Sequence, residues 1–180
     1  IAYDSAAKVI VPSQQGENIE EFVDSVRRLR VGGNTALFAG VNLGASEIRK
    51  NLEGKYFNRL ILLSDGLANV GPSSPNDLIR LGRALVKENV SVSAVGLGAG
   101  YNEDLMAGIA REGQGNLYFA ETSRDLPSIF DAEIGDALSV VAEKADIRIE
   151  LEAGVRPVRL IGRQGIISGN RVEIVIKQLY

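Results

Sequence analysis

The feature that most constrains this chain is an alternation. Between Glu17 and Glu143, segments with apolar residues at helical spacing take turns with short, solidly apolar runs. From Glu17 to Arg30 the residues Ile19, Phe22, Val23, Val26 and Leu29 recur at the spacing of one helix face. Thr35 to Leu52 repeats the pattern with Leu37, Val41, Gly44, Ile48 and Leu52. Arg59 to Ser64 is a compact strand, and its unbroken Leu60-Ile61-Leu62-Leu63 run predicts burial on both faces, as parallel strands in α/β proteins show. Ser74-Pro75-Asn76-Asp77 is a helix start, with a hydroxyl cap, proline at the first position and an acid in the first turn. Leu78, Ile79, Leu81, Leu85 and Val86 follow on that helix. Val90 to Leu97 is the next strand; a helix capped by Asn102 then carries Leu105, Met106 and Ile109. Leu117 to Ala120 is a short strand, and a long helix runs from about Asp125 to Glu143. The order predicts a three-layer, doubly wound, Rossmann-like α/β domain with a mostly parallel sheet.

The flanks differ from this interior. Ile1 to Tyr3 and Lys8 to Val11 read as two short strands joined across Asp4-Ser5-Ala6-Ala7, with Pro12 ending the second. After Ala145, Ile147, Ile149 and Leu151 alternate with charged residues, and Val155 to Ile161 and Val172 to Ile176 are two further strand segments. The expected division is an α/β domain over residues 1–144 and an all-β segment over 145–180, the start of a second, incomplete unit.

Composition narrows the chemistry. With neither Cys nor His, the chain has no thiolate zinc site, cysteine nucleophile, imidazole base or metal-bound imidazole. The net charge is −3 and the cations are scattered, which argues against a nucleic-acid surface. The apolar runs are far shorter than a bilayer requires, so direct membrane insertion is not expected of these residues. No Walker A sequence or nucleophile elbow occurs, and the loop Gly96-Leu97-Gly98-Ala99-Gly100 has Tyr101 where a dinucleotide fingerprint needs glycine. Without converging acids, carboxylate acid–base catalysis is not expected, and the chain is read as a non-enzyme.

Two oxygen-bearing side chains remain at the edge where such a sheet presents its binding crevice. Asp65 lies just past the carboxyl end of the Arg59 to Ser64 strand, and Thr35 sits in the glycine-rich loop Gly32-Gly33-Asn34 that enters a helix. A hydroxyl and a carboxylate are hard donors, suited to Mg²⁺ or Mn²⁺ and not to softer metals. Spacing alone leaves the plainer alternatives open: Thr35 as a helix N-cap, Asp65 as a turn residue, and Asp4-Ser5 as a turn. A receiver-like signalling domain with Asp65 as phosphoacceptor is the alternative function, though it needs further acids and a late-strand lysine.

The chain also resembles a known family. Gly33-Asn34-Thr35-Ala36-Leu37 is similar to the second metal-site segment of von Willebrand factor A domains, and Leu62-Leu63-Ser64-Asp65-Gly66 to the third. The similarity continues through Leu67-Ala68-Asn69-Val70-Gly71-Pro72, Val95-Gly96-Leu97-Gly98, Asn102-Glu103-Asp104-Leu105-Met106 and Gly113-Gln114-Gly115-Asn116-Leu117-Tyr118-Phe119. It is nearest to the bacterial branch resembling inter-alpha-trypsin inhibitor heavy chains and calcium-activated chloride channel-like proteins. The resemblance implies a non-catalytic, metal-ion-dependent adhesion module. Thr35 and Asp65 would hold Mg²⁺ or Mn²⁺, with Ca²⁺ a further choice, and Ser64 would be a neighbour. An acidic side chain of a protein partner would complete the coordination. It also favours a cell-envelope, periplasmic or secreted location.

One departure bears on all of this. The family's first metal segment, D-x-S-x-S, ends its first and central strand, and nothing here matches it. The chain is therefore expected to start after that strand, with poor Mg²⁺ affinity because those oxygen ligands are absent. It would also leave two sheet edges in need of partners. The expected compensation is another strand of this chain, a segment swapped from a second copy, or homo-oligomeric association through the exposed edges.

Overall fold

The computed structural model describes every residue except 15, 17–18, 31, 53–56, 140–144, 153, 162–164 and 177–180. It divides into two compact units, Ile1–Asp131 and Ala132–Tyr180. In chain order the elements are β1 (Ala2–Tyr3), β2 (Ala7–Lys8), α1 (Ile19–Arg27), α2 (Leu37–Arg49), β3 (Asn58–Ser64), α3 (Pro75–Lys87), β4 (Val90–Leu97), α4 (Glu103–Glu112) and β5 (Gln114–Ala120). A 3₁₀ turn at Ser123–Asp125 leads into α5 (Leu126–Ser139); β6 (Ala145–Glu150), β7 (Ile166–Ser168) and β8 (Arg171–Ile176) complete the chain. Among the described residues no helix is long and apolar enough to cross a membrane.

The first unit is built on three parallel strands in the order β3-β4-β5. One face of this sheet carries Leu62, Val92 and Ala94 against Leu37, Val41 and Ala45 of α2, Leu78 and Leu85 of α3, and Leu105, Met106 and Ile109 of α4. On the other face Val95 and Ala120 pack with Ile129 and Leu126 of α5. Helices on both faces of a parallel sheet make the expected three layers. The helix starts also follow the residues: Ser74 Oγ accepts the Asp77 N–H at 3.2 Å, and Asn102 Oδ1 accepts the Leu105 N–H at 3.1 Å. Each satisfies an amide that the first turn leaves without an internal partner.

Burial on both faces holds for β4, where all but the last residue is buried, but not for β3. Leu62 is buried, while Leu60 and Ile61 are half-buried and Leu63 is 37% exposed. The reason is lateral: β4 is paired on both sides, whereas among the described residues β3 has a strand on one side only. Beyond its free edge lies the hairpin of β1 and β2, antiparallel and a separate sheet, with β2 shorter than the Lys8 to Val11 strand expected.

Helix α2 covers the hairpin and β3 together. Gly44 faces both strands: a Cβ there would stand 3.0 Å from Leu60 Cδ1 and 3.8 Å from Ile1 Cγ1. One turn earlier, a Cβ at Gly40 would stand 2.6 Å from the Tyr3 ring, so only glycine admits that ring. β1 and β3 therefore run in the same sense and end at the same edge, with Asp4 and Asp65 just beyond them. The link across the interval is a side chain: the Tyr3 hydroxyl donates to the Leu63 carbonyl at 2.6 Å. Among the described residues no further strand of this chain pairs with that edge of β3; a phenol satisfies one of its carbonyls.

Helix α1 forms at the predicted place, but none of its residues is buried. Ile19, Phe22 and Val26 line an open groove of about 450 Å³ with Ile10 and Val11.

The second unit carries an antiparallel sheet in the order β6-β8-β7. Its alternation sorts the faces: Ile147, Ile149, Ile167, Val172 and Ile174 share one, and Arg148, Glu150, Arg171 and Glu173 share the other. Ion pairs tie the charged face, Arg171 to Glu150 at 2.7 Å and Arg148 to Glu173 at 3.7 Å. The expected strand over Val155 to Ile161 does not form. Pro157 has no N–H to give a ladder, and Ile166–Ser168 takes the place beside β8.

Candidate metal-binding site

The carboxyl edge of the first unit gathers three loops that are far apart in sequence. The first follows β1, where Asp4 Oδ1 accepts the Ala6 N–H at 3.1 Å and closes the hairpin turn. The second enters α2. Gly33 has φ +80°, which favours glycine, and a Cβ there would stand 2.7 Å from Ser5 Oγ. Ser5 Oγ accepts the Asn34 N–H at 3.1 Å, and the Asp4 carbonyl accepts the Ala36 N–H at 2.7 Å. Asp4 and Ser5 thus serve as a turn and a tie to the neighbouring loop.

The third loop follows β3 and holds Asp65. Ser64 is buried, and its hydroxyl donates to the Gly66 carbonyl at 3.3 Å. Gly66 adjoins Thr35: a Cβ there would stand 3.4 Å from Thr35 Oγ1. The two residues singled out from sequence are therefore on adjoining loops. Thr35 is not the N-cap of α2; that position is Ala36, which makes no side-chain cap. Among the described residues neither Thr35 Oγ1 nor the exposed Asp65 carboxylate has a hydrogen-bond or ion-pair partner. Asp65 also acts on Tyr3. Burial pushes the Tyr3 phenol above its ordinary range, the Ser64 side chain opposes this, and the Asp65 charge adds to it.

Two residues of this edge carried no role in the sequence reading. Tyr3 bonds to the end of β3. Asn69 holds Thr35: its side-chain Oδ1 accepts the Thr35 N–H at 2.7 Å, and its own N–H donates to the Thr35 carbonyl at 3.1 Å. Nothing in periodicity or spacing marks an asparagine four residues after Asp65 as a tie to position 35.

As a donor set, a hydroxyl and a carboxylate on adjoining loops fit a hard divalent cation that keeps most of its water. They do not fit a cation that needs an all-protein cage. Among the described residues no group of three or more acidic side chains is placed to hold an ion, which also disfavours a receiver-type acidic pocket at Asp65.

A family model described as von Willebrand factor type A domain matches residues 1–132. The chain belongs to this family. Two curated relatives of this von Willebrand factor A chain are uncharacterized proteins. YfbK of Escherichia coli (strain K12) is 28% identical over 164 residues, covering 90% of this chain and 28% of that protein. The protein sll0103 of Synechocystis (strain ATCC 27184 / PCC 6803 / Kazusa) is 28% identical over 151 residues, covering 84% and 35%. The chain thus spans about a third of each. Among solved structures, a von Willebrand factor type A protein from Catenulispora acidiphila superposes with a TM-score of 0.71 at 16% identity, over 98% of this chain and 44% of that one. Proximal thread matrix protein 1 of the mussel byssus, with a zinc-occupied MIDAS motif, has a TM-score of 0.57 at 20% identity, over 81% and 36%. At these identities the solved structures speak for the fold: α/β, of the von Willebrand factor A type, with an antiparallel β unit after it.

Proposed function

We propose that this von Willebrand factor A domain is a non-catalytic protein-binding module. It takes a divalent cation between Thr35 Oγ1 and the Asp65 carboxylate and offers it to an acidic group of a protein partner. The observation that carries this reading is the pair of uncommitted hard oxygens on adjoining loops at the carboxyl edge of a parallel sheet. The zinc-occupied MIDAS of the mussel protein supports a cation in this class of site. Here the donors favour Mg²⁺ or Mn²⁺, with Ca²⁺ next. The cation would act as a fixed positive charge facing the partner, and with so few protein ligands its affinity is expected to be weak. Thr35 and Asp65 hold it, while Ser64, turned to the Gly66 carbonyl, shapes the loop.

Mn²⁺ titration followed by electron paramagnetic resonance tests the reading. The unaltered chain should bind one Mn²⁺, weakly and in competition with Mg²⁺, and Asp65→Asn and Thr35→Val should each lose it while keeping the fold. Added acetate should alter the signal of the bound ion only in the chain that binds it. Undiminished binding in Asp65→Asn would sink the proposal.

A further inference from the structure

We infer that Asn69 is the positioning residue of this edge: it fixes Thr35 against the Asp65 loop so that Thr35 Oγ1 stays free and aimed beside Gly66. The inference rests on the cation reading of Thr35 and Asp65. Three hydrogen bonds carry it, all between the backbone of Thr35 and the loop after β3. Asn69 Oδ1 accepts the Thr35 N–H at 2.7 Å, the Asn69 N–H donates to the Thr35 carbonyl at 3.1 Å, and the Val70 N–H reaches the same carbonyl at 3.4 Å. The orientation of the Asn69 amide is set by its partner, because a backbone N–H can be met only by the side-chain oxygen.

The arrangement has a consequence for the site. A cation with one ligand from each of two loops needs those loops held in register to a fraction of an ångström. Thr35 and Asp65 belong to segments whose only covalent connection runs through α2 and β3. Their register is therefore set by contacts across the gap between the loops, and Asn69 supplies both halves of the closest one. Side chain and backbone of one residue grip the N–H and the carbonyl of Thr35 together, which removes sliding and rotation of its peptide planes. The Thr35 hydroxyl takes no part, so the grip spends none of the donor set. Asn69 is exposed, and among the described residues its hydrogen bonds at this edge go to the backbone of Thr35.

Four forms of the full chain test this: unaltered, Asn69→Ala, Asn69→Asp and Asn69→Gln. The readouts are Mn²⁺ affinity by paramagnetic resonance and, without metal, the exchange rate of the Thr35 amide by nuclear magnetic resonance. Asn69→Ala should exchange the Thr35 amide faster and bind Mn²⁺ at least about tenfold more weakly, the low end of what outer-shell partners of a metal contribute. Asn69→Asp keeps the oxygen acceptor and should restore slow exchange and Mn²⁺ binding. Asn69→Gln displaces the acceptor by one methylene and should behave as the alanine form, which keeps the test alive if that form fails to fold. Equal Mn²⁺ affinity in all four forms overturns the assignment of Asn69. Absence of Mn²⁺ binding in the unaltered chain instead overturns the cation reading on which it rests.

Discussion

β4 and β3 lie side by side, pair residue for residue from Asn58↔Val90 to Ser64↔Gly96, and differ in almost everything that surrounds them. β4 is enclosed by strands on both sides and by α3 and α4, with Val92, Ala94 and Val95 fully buried. Among the described residues β3 has one strand neighbour, an exposed Leu63, and a phenol bonded to its other edge. The enclosed half is where burial accumulates and stability should reside. The open half ends in the loops that carry the uncommitted Thr35 and Asp65 oxygens.

The largest effect should come from the enclosed half. Leu85 on α3 is fully buried in the main core, and Leu85→Ala should cost about 2–5 kcal/mol of unfolding free energy by denaturant titration. The same variant should bind Mn²⁺ unchanged while folded; coupled losses would break the separation between the halves.

An intermediate effect should follow at the start of α3. Ser74→Ala removes the cap on the Asp77 N–H and should cost about 1 kcal/mol. The Ser74 hydroxyl, first, and the Arg80 guanidinium, second, hold the Asp77 carboxyl below its ordinary range. A carboxyl depressed in the folded state adds stability above its unfolded value, about pH 4, and that contribution is lost as pH falls through the folded value. Chemical denaturation across this range should show a weaker acid dependence in Ser74→Ala; an unchanged slope would remove Asp77 from the account.

The smallest effect should lie at the open edge. Tyr3→Phe keeps the ring under Gly40 and deletes only the hydroxyl bonded to the Leu63 carbonyl. The expected loss is about 0.5 kcal/mol, the low end for one hydrogen bond, with faster amide exchange at the end of β3. Undisturbed exchange there would mean that the phenol does not hold the edge, and the contrast with β4 would sharpen.

Much of the scaffold was legible because its signals are local. Ser74-Pro75 and Asn102 cap helices where their side chains meet the nearest amides, three residues on. The strand at Val90–Leu97 and the alternation in Ala145–Glu150 follow from short-range pattern. Lateral neighbours leave no such local signal. A run such as Leu60 to Leu63 states that apolar residues are adjacent and not what will lie beside them, so it predicts a double-sided burial that Leu63 does not have. Ile166–Ser168 takes the edge of β8 that the pattern of Val155 to Ile161 also fits, and local sequence does not choose between two apolar segments for one edge.

By itself, then, the sequence determined the alternation of helices and strands, the caps, and the placing of Thr35 and Asp65 in loops at strand and helix ends. Each depends on hydrogen bonds or side-chain periods that close within a few residues. Only the tertiary structure decided that Thr35 is not a cap, that the Tyr3 hydroxyl bonds to the Leu63 carbonyl, and that Asn69 grips Thr35 from 34 residues away. The physical reason is one of distance along the chain. An exposed asparagine in a loop looks like any other until the fold brings an unmatched N–H and carbonyl within its reach.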